Sequence, residues 1–262
     1  MTMIYNQQDY EIEKKLVADK IARNTLKRQY PSKFLEALLP AMEKYYNLYK
    51  FEPNLETLSH PKVEEAFKLV EKAHEGQLRK YTNEAYTVHL REVASYLSSL
   101  PGHNHEEVIA GLLHDVVEKG NITFDYIKFN FGKNVHEHVY FLTDIATLED
   151  GNRDARIKKN WEHFSQASTK TKHIKAIDIL SSARTTMLCD AKYGETYMNV
   201  IIDLMNPYFQ KCEDLDLNIK KTFNDMTNLS IDIINLQKKY NIAKLEKTYS
   251  NKVKSLKKLS LV

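Results

Sequence analysis

The ten residues GLLHDVVEKG, Gly111 to Gly120, set His114 and Asp115 side by side within an apolar run, with Glu118 three residues later. On a helix, Gly111, His114, Asp115 and Glu118 follow an i, i+3, i+4, i+7 spacing and share one face. Val108, Ile109, Leu112, Leu113, Val116 and Val117 take the other. One stripe is expected to pack into a core. The other is expected to open on a pocket, where Gly111 leaves room. A half-buried His, Asp and Glu must be hydrogen-bonded, paired or bound to a cation. A His-Asp pair alone is an ordinary helical feature, so the metal reading depends on what accompanies it.

Two companions strengthen it. In HIKAIDILSSARTTM, Asp178, Ser181, Ser182 and Thr185 repeat the same spacing among Ile177, Ile179 and Leu180. A carboxylate in such company is costly without a partner. In AYTVHLREVASYL, His89 opens a further amphipathic helix. His89, His114, Asp115 and Asp178 together give two imidazoles and two carboxylates. That mix suits Mn, Fe, Co, Ni or Zn better than Ca or Mg, and it leaves coordination positions for water and a phosphate.

The elements that must carry these residues read as helices throughout. The 262 residues are 42% hydrophobic and 28% charged, enough to bury a sizeable core. Only 7 Gly and 6 Pro interrupt a chain rich in Lys, Glu, Leu and Ala, and no long alternating pattern suggests a strand. The fold class expected is all-α. Residues 1–60 read as an N-terminal helical extension, 61–206 as the central domain, and 207–262 as a C-terminal helical extension. The Lys-rich end of the latter reads as a solvated helix or frayed tail, with a tail that binds an anionic partner as the alternative.

A net charge of +3 is too small to imply nucleic acid. Cys189 and Cys212 give neither a disulfide framework nor a zinc spacing and fit a reducing cytoplasm. The first residues lack a signal-peptide core, and no apolar run approaches the roughly 18 residues of a membrane span. Periodicity leaves open whether the extensions pack within the chain or against a second copy.

The order His, His-Asp, Asp resembles that of the HD metal-dependent phosphohydrolases. The local blocks KAHEGQLRKYTNEAYTVHLREVASYL, IAGLLHDVVEKGNITFDYIKFNFGKNVHEHVYFLTD and HIKAIDILSSARTT resemble, in order, the hydrolase domain of RelA/SpoT-type enzymes over about residues 66 to 200. The resemblance implies an HD-domain helical bundle and an Mn2+-type site held by His89, His114, Asp115 and Asp178. It implies that Arg79 and Lys80 flank a nucleotide, with Arg79 near its base or its phosphates, that Arg184 is a candidate phosphate contact, and that Glu118 positions or activates the attacking water.

Four positions depart from the family pattern. Lys119 stands where the family has an Asp after the Glu. A protonated lysine cannot accept a proton and would attract phosphate oxygens, which leaves Glu118 alone as general base. Ser181 and Ser182 replace a His-Asn pair, so Ser182 would contact the nucleotide more loosely. Leu90 replaces a common Pro, with little chemical consequence.

Other candidates read as structural. His74 is expected to support the site rather than ligate. His103 and His105 are expected in an exposed loop or next to a cap, and His136 and His138 on the surface. Asp144 is left between a cap or packing role and a substrate contact. The leading functional expectation is a hydrolase-only enzyme acting on a small phosphorylated nucleotide, by resemblance guanosine with a 3′-diphosphate, releasing pyrophosphate. The alternatives are a hydrolase of another nucleotide, and a nucleotide-binding regulatory module that keeps its metal without turnover.

Overall fold

The computed structural model describes residues 3–48 and 50–259; the last three residues of the Lys-rich end lie outside them. Among the described residues there is no strand, only one isolated antiparallel bridge between Leu78 and Ala85, so the all-α expectation holds. Among the described residues, no helix is long and apolar enough to cross a membrane.

The helices are α1 (Gln7–Arg28), α2 (Ser32–Asn47), α3 (Leu55–Leu58), α4 (Pro61–Ala73), α5 (Thr87–Ser99), α6 (His105–Leu113) and α7 (Val116–Lys119). They continue as α8 (Phe124–Leu142), α9 (Arg153–Ser165), α10 (Thr169–Cys189), α11 (Ala191–Val200), α12 (Asn206–Lys211), α13 (Leu217–Lys239) and α14 (Ile242–Leu259). Several starts are set by side-chain caps. The Asn6 side chain accepts from the Gln8 N–H while Asp9 accepts from the Asn6 N–H, and Asn104 and Glu107 repeat this at α6. Gly132, inside α8, adopts φ +90°, a conformation that glycine alone enters freely, and kinks the helix there.

The centre of the molecule is α5, where every residue from Thr87 to Ser98 is buried. It packs against α6 and α10, with α4 and α8 on the far side of α6. The contact between α5 and α6 is close because of Gly111. A Cβ there would lie 2.5 Å from Leu97 Cδ1 and 3.4 Å from Val93 Cγ1. Gly111 therefore faces α5 and does not open the pocket, contrary to its place in the sequence reading. The buried apolar core runs continuously from Tyr5 to Ile242. In α1 the buried stripe is Tyr10, Glu13, Val17, Ile21 and Asn24, and it lies on α10. Glu13 is the one acidic residue in that stripe.

The helix read through His114 and Asp115 is broken. Regular helix stops at Leu113; His114 (φ −58°, ψ −27°) and Asp115 (φ −105°, ψ −3°) form a turn; Val116–Lys119 then make one short helical turn. His114, Asp115 and Glu118 still reach one region, but Glu118 does so from a separate element.

Candidate metal and phosphate site

His89 lies in the first turn of α5, where α10 contacts both of its ring nitrogens. Nε2 is 3.2 Å from Asp178 Oδ1 and Nδ1 is 2.9 Å from Ser181 Oγ. Ser181 donates its own proton to Glu92. Its oxygen therefore receives the Nδ1–H, and the neutral ring turns an Nε2 lone pair toward the Asp178 carboxylate. His114 is set the same way. Its Nδ1 donates to the Gly111 carbonyl at 2.8 Å, and a carbonyl can only accept. Its buried Nε2 makes no hydrogen bond and lies 3.3 Å from Asp115 Oδ2 and 3.7 Å from Asp178 Oδ1.

Lone pairs aimed at carboxylate oxygens repel unless a proton or a cation sits between them. One donor atom each from His89, His114 and Asp115 lies within 4.8 Å of the others, with Asp178 bridging the two rings. This donor set fits a divalent ion, with each imidazole oriented by a partner on its other nitrogen. Burial lowers the His89 pKa. Burial also acts downward on His114, but Asp115 and Asp178 outweigh it and raise the pKa. Burial acts upward on both aspartates and is overcome: by His114 and Lys119 for Asp115, and by Lys175 and His114 for Asp178.

Beside this cluster opens a cavity of about 600 Å³. Its wall carries the cations Arg79, Lys80, Lys119 and Lys175 and the acids Asp115, Glu118, Asp144 and Asp178. Lys119 Nζ reaches Asp115 Oδ1 at 2.8 Å and the Tyr86 hydroxyl at 2.7 Å, and that hydroxyl donates to Asp115 Oδ2. Glu118 Oε1 accepts the Asp144 N–H at 2.6 Å, and burial raises its carboxyl above the usual range. Lys80 bonds Asp190 at 3.1 Å and lies 4.8 Å above the Tyr193 ring. Ser182 and Thr185 line the cavity from α10.

Arg184 departs from its expected place. It does not line the cavity and is fully buried, donating through Nε to Glu13 and through Nη2 to Glu92, at 2.7 Å each. A guanidinium enclosed by two carboxylates cannot turn to a phosphate in the cavity. His74 is buried beside the site, with Nδ1 2.9 Å from Gln77 Oε1 and its ring 5.2 Å from that of Tyr86.

His138 is buried against Thr171, not on the surface, and His103 sits next to the α6 cap Asn104, as expected, but is half-buried against His173. Burial and the neighbouring His173 bring His103 down to about 4. Tyr86 and Lys175 were missed in the sequence. Lys175 sits three residues before Asp178 and bonds its Oδ2 at 3.0 Å, an i, i+3 pairing that spacing alone could have suggested.

Comparison with known proteins supplies a family. The HD-domain pattern matches residues 66–190. A guanosine-3′,5′-bis(diphosphate) 3′-pyrophosphohydrolase of Xenopus tropicalis, MESH1, is 35% identical over 127 residues, which cover 48% of this chain and 69% of that protein. A probable GTP diphosphokinase of Arabidopsis thaliana, RSH2, is 40% identical over 86 residues, and a guanosine-3′,5′-bis(diphosphate) 3′-pyrophosphohydrolase of Aquifex aeolicus is 37% identical over 87. Each of these two matches spans 33% of this chain but only 12% of the relative.

One solved structure, described as "A metazoan ortholog of SpoT hydrolyzes ppGpp and plays a role in starvation responses", aligns with a TM-score of 0.55 at 21% identity. The alignment covers 64% of this chain and 94% of that one, a likeness of fold. The helices, the paired imidazoles and these matches agree, and the chain belongs to the HD-domain family in its RelA/SpoT-type hydrolase branch.

Proposed function

We propose that the chain is a divalent-metal-dependent phosphohydrolase of a small phosphorylated nucleotide, with guanosine-3′,5′-bis(diphosphate) as the preferred substrate and Mn2+ as the preferred ion. The observation that carries this reading is the convergence of His89, His114, Asp115 and Asp178, with both imidazole Nε2 atoms facing carboxylates, beside a cavity whose wall carries Arg79 and three lysines together with four acids.

A bound divalent ion would supply Lewis acidity toward a phosphoryl oxygen. The rest of the reaction falls to the chain. Arg79, Lys80, Lys119 and Lys175 bind and orient the polyphosphate and offset its charge. Water adds to the phosphorus attached to the 3′-oxygen, the bond from phosphorus to that oxygen breaks, and pyrophosphate leaves. Glu118 takes the proton from the water, through an oxygen whose basicity burial has raised. The departing 3′-oxygen is protonated from solvent. Ser182 and Thr185 contact the nucleoside side of the substrate. The free thiols of Cys189 and Cys212 agree with a reducing cytoplasm.

Lys119 favours a second reading. Its ammonium already engages Asp115, at the position where the family pattern has a carboxylate, so a different nucleotide phosphate, or binding without turnover, fits this departure. The test is release of pyrophosphate or phosphate from a nucleotide panel with Mn2+ and with chelator, beside Glu118→Gln. Chelator-sensitive pyrophosphate release from guanosine-3′,5′-bis(diphosphate), lost in the variant, is the expected result. Release from another member alone would retain the chemistry and replace the substrate. Metal binding with no turnover of any member would refute the hydrolase.

A further inference from the structure

Glu13 lies outside the region matched by the HD-domain pattern, in the apolar stripe of α1, and is fully buried. Two branches leave its carboxylate. Oε2 accepts from Arg79 Nη1, and Arg79 lines the cavity. Oε1 accepts from Arg184 Nε at 2.7 Å and from the Tyr46 hydroxyl at 2.9 Å. Arg184 Nη2 then donates to Glu92 at 2.7 Å, Glu92 accepts from Ser181, and Ser181 holds the Nδ1 of His89. Two acids and two guanidinium groups alternate along this chain, which balances their charge within the core. Burial pushes the Glu13 carboxyl up, but Arg184 and Arg79 bring it down to about 2, so it stays ionised.

We infer that Glu13, supplied by the N-terminal helix, is a positioning residue of the cavity: it aims the Arg79 guanidinium at substrate phosphate and, through Arg184, Glu92 and Ser181, fixes the ring of His89. This rests on the phosphohydrolase reading. An arginine side chain has many rotamers, and a fixed carboxylate behind it removes most of them before the ligand arrives. On this inference the N-terminal helix completes a site whose ligands all lie elsewhere in the chain.

The test is calorimetry on the full chain with Mn2+ alone, then with inorganic pyrophosphate added to the Mn2+-loaded protein. The proteins are the wild type, Glu13→Gln, Arg79→Gln and the double variant, each with a thermal melt. Glu13→Gln should bind pyrophosphate roughly tenfold more weakly, the loss of one oriented charged contact. The double variant should be no weaker than Arg79→Gln to within about twofold, because Glu13 acts through Arg79. A Mn2+ affinity a few-fold weaker in Glu13→Gln would report the His89 branch, and an unchanged one would overturn that branch.

A folded Glu13→Gln that binds pyrophosphate like wild type, or losses that multiply in the double variant, would overturn the inference. If Glu13→Gln gives no cooperative melt, Glu13→Asp decides. It keeps the charge but draws it back from Arg79, and wild-type affinity there would also overturn the inference. Failure of the wild type to bind either Mn2+ or pyrophosphate would instead refute the reading of the site itself, and the inference with it.

Discussion

Replacing Arg184 by methionine should cost far more than an ordinary core substitution, and the cost should depend on pH. Arg184 is fully buried between Glu13 and Glu92. Methionine fills much of the same space, so the loss is mainly electrostatic. Removing one member of a buried ion network leaves an uncompensated charge, typically about 3–5 kcal/mol. At roughly 2–4 °C per kcal/mol for a chain near this size, Tm should fall by about 6–20 °C at pH 7.

The wild-type value of about 2 for Glu13, against an ordinary 4.5, is a gap of 2.5. At roughly 1.4 kcal/mol per pH unit it amounts to about 3 kcal/mol. Because the folded value is depressed, this stability is fully present above pH 4.5 and is lost as pH falls toward 2. Without Arg184, burial is opposed only by Arg79 and the Tyr46 hydroxyl, and Glu13 shifts upward. The folded variant then takes up a proton more readily than the folded wild type, and its deficit should shrink between pH 7 and 5. Paired melts at the two pH values read this directly. A Tm within 2 °C of wild type at pH 7, or a deficit unchanged at pH 5, would refute the buried network as described.

Asp115→Ala should abolish metal binding while the protein keeps a cooperative melt, at a lower Tm because Lys119, Tyr86 and His114 lose their partner; metal retained after dialysis would contradict the four-ligand assignment. The acid limb of kcat/KM should lie above the ordinary carboxylate range because burial raises Glu118, activity should rise with pH through that limb, and Glu118→Gln should remove the limb and lower kcat by about 10²–10⁴-fold. Lys119→Met should tighten Mn2+ binding by roughly fivefold, as a half-exposed ammonium 2.8 Å from Asp115 opposes a second cation by about 1 kcal/mol; an equal or weaker affinity in a metal titration would exclude this competition. Gly111→Ala should destabilise by about 1–3 kcal/mol, since its Cβ would overlap Leu97, and a denaturant melt equal to wild type would show that the α5–α6 contact yields.

The helices were legible in the sequence because they depend on local spacing, whereas His89, His114, Asp115 and Asp178 were named together through the family resemblance, and the structure does bring them to one place. Asp178, Ser181, Ser182 and Thr185 share a face as their period demands, and α10 presents Ser181 to His89 while Ser182 and Thr185 line the cavity. What spacing could not give was long-range pairing. The motif around Arg184 reads as a phosphate contact until Glu13, 171 residues away, takes its Nε. His103 and His138 look polar and exposed in their own segments, and only α10, carrying His173 and Thr171, buries them. The turn at His114–Asp115 hides in a helical period because His114 keeps right-handed helical angles and the apolar residues resume at once.

The close approach of α5 and α6 at Gly111 separates two tasks. His89 sits at the head of one of these helices and His114 just past the end of the other, so the distance between their rings, 5.2 Å between centroids, is set by a dry interhelical contact. The positively charged arm of Arg79 and Lys80 comes instead from the connection between α4 and α5, outside any helix. Sequence drift or deliberate redesign at Lys80, which bonds Tyr81 and Asp190 and none of the four candidate ligands, can therefore exchange one ligand for another while the reactive centre keeps its dimensions. The converse holds as well: a bulkier residue at position 111 would alter reactivity toward every ligand alike, without changing which one is preferred.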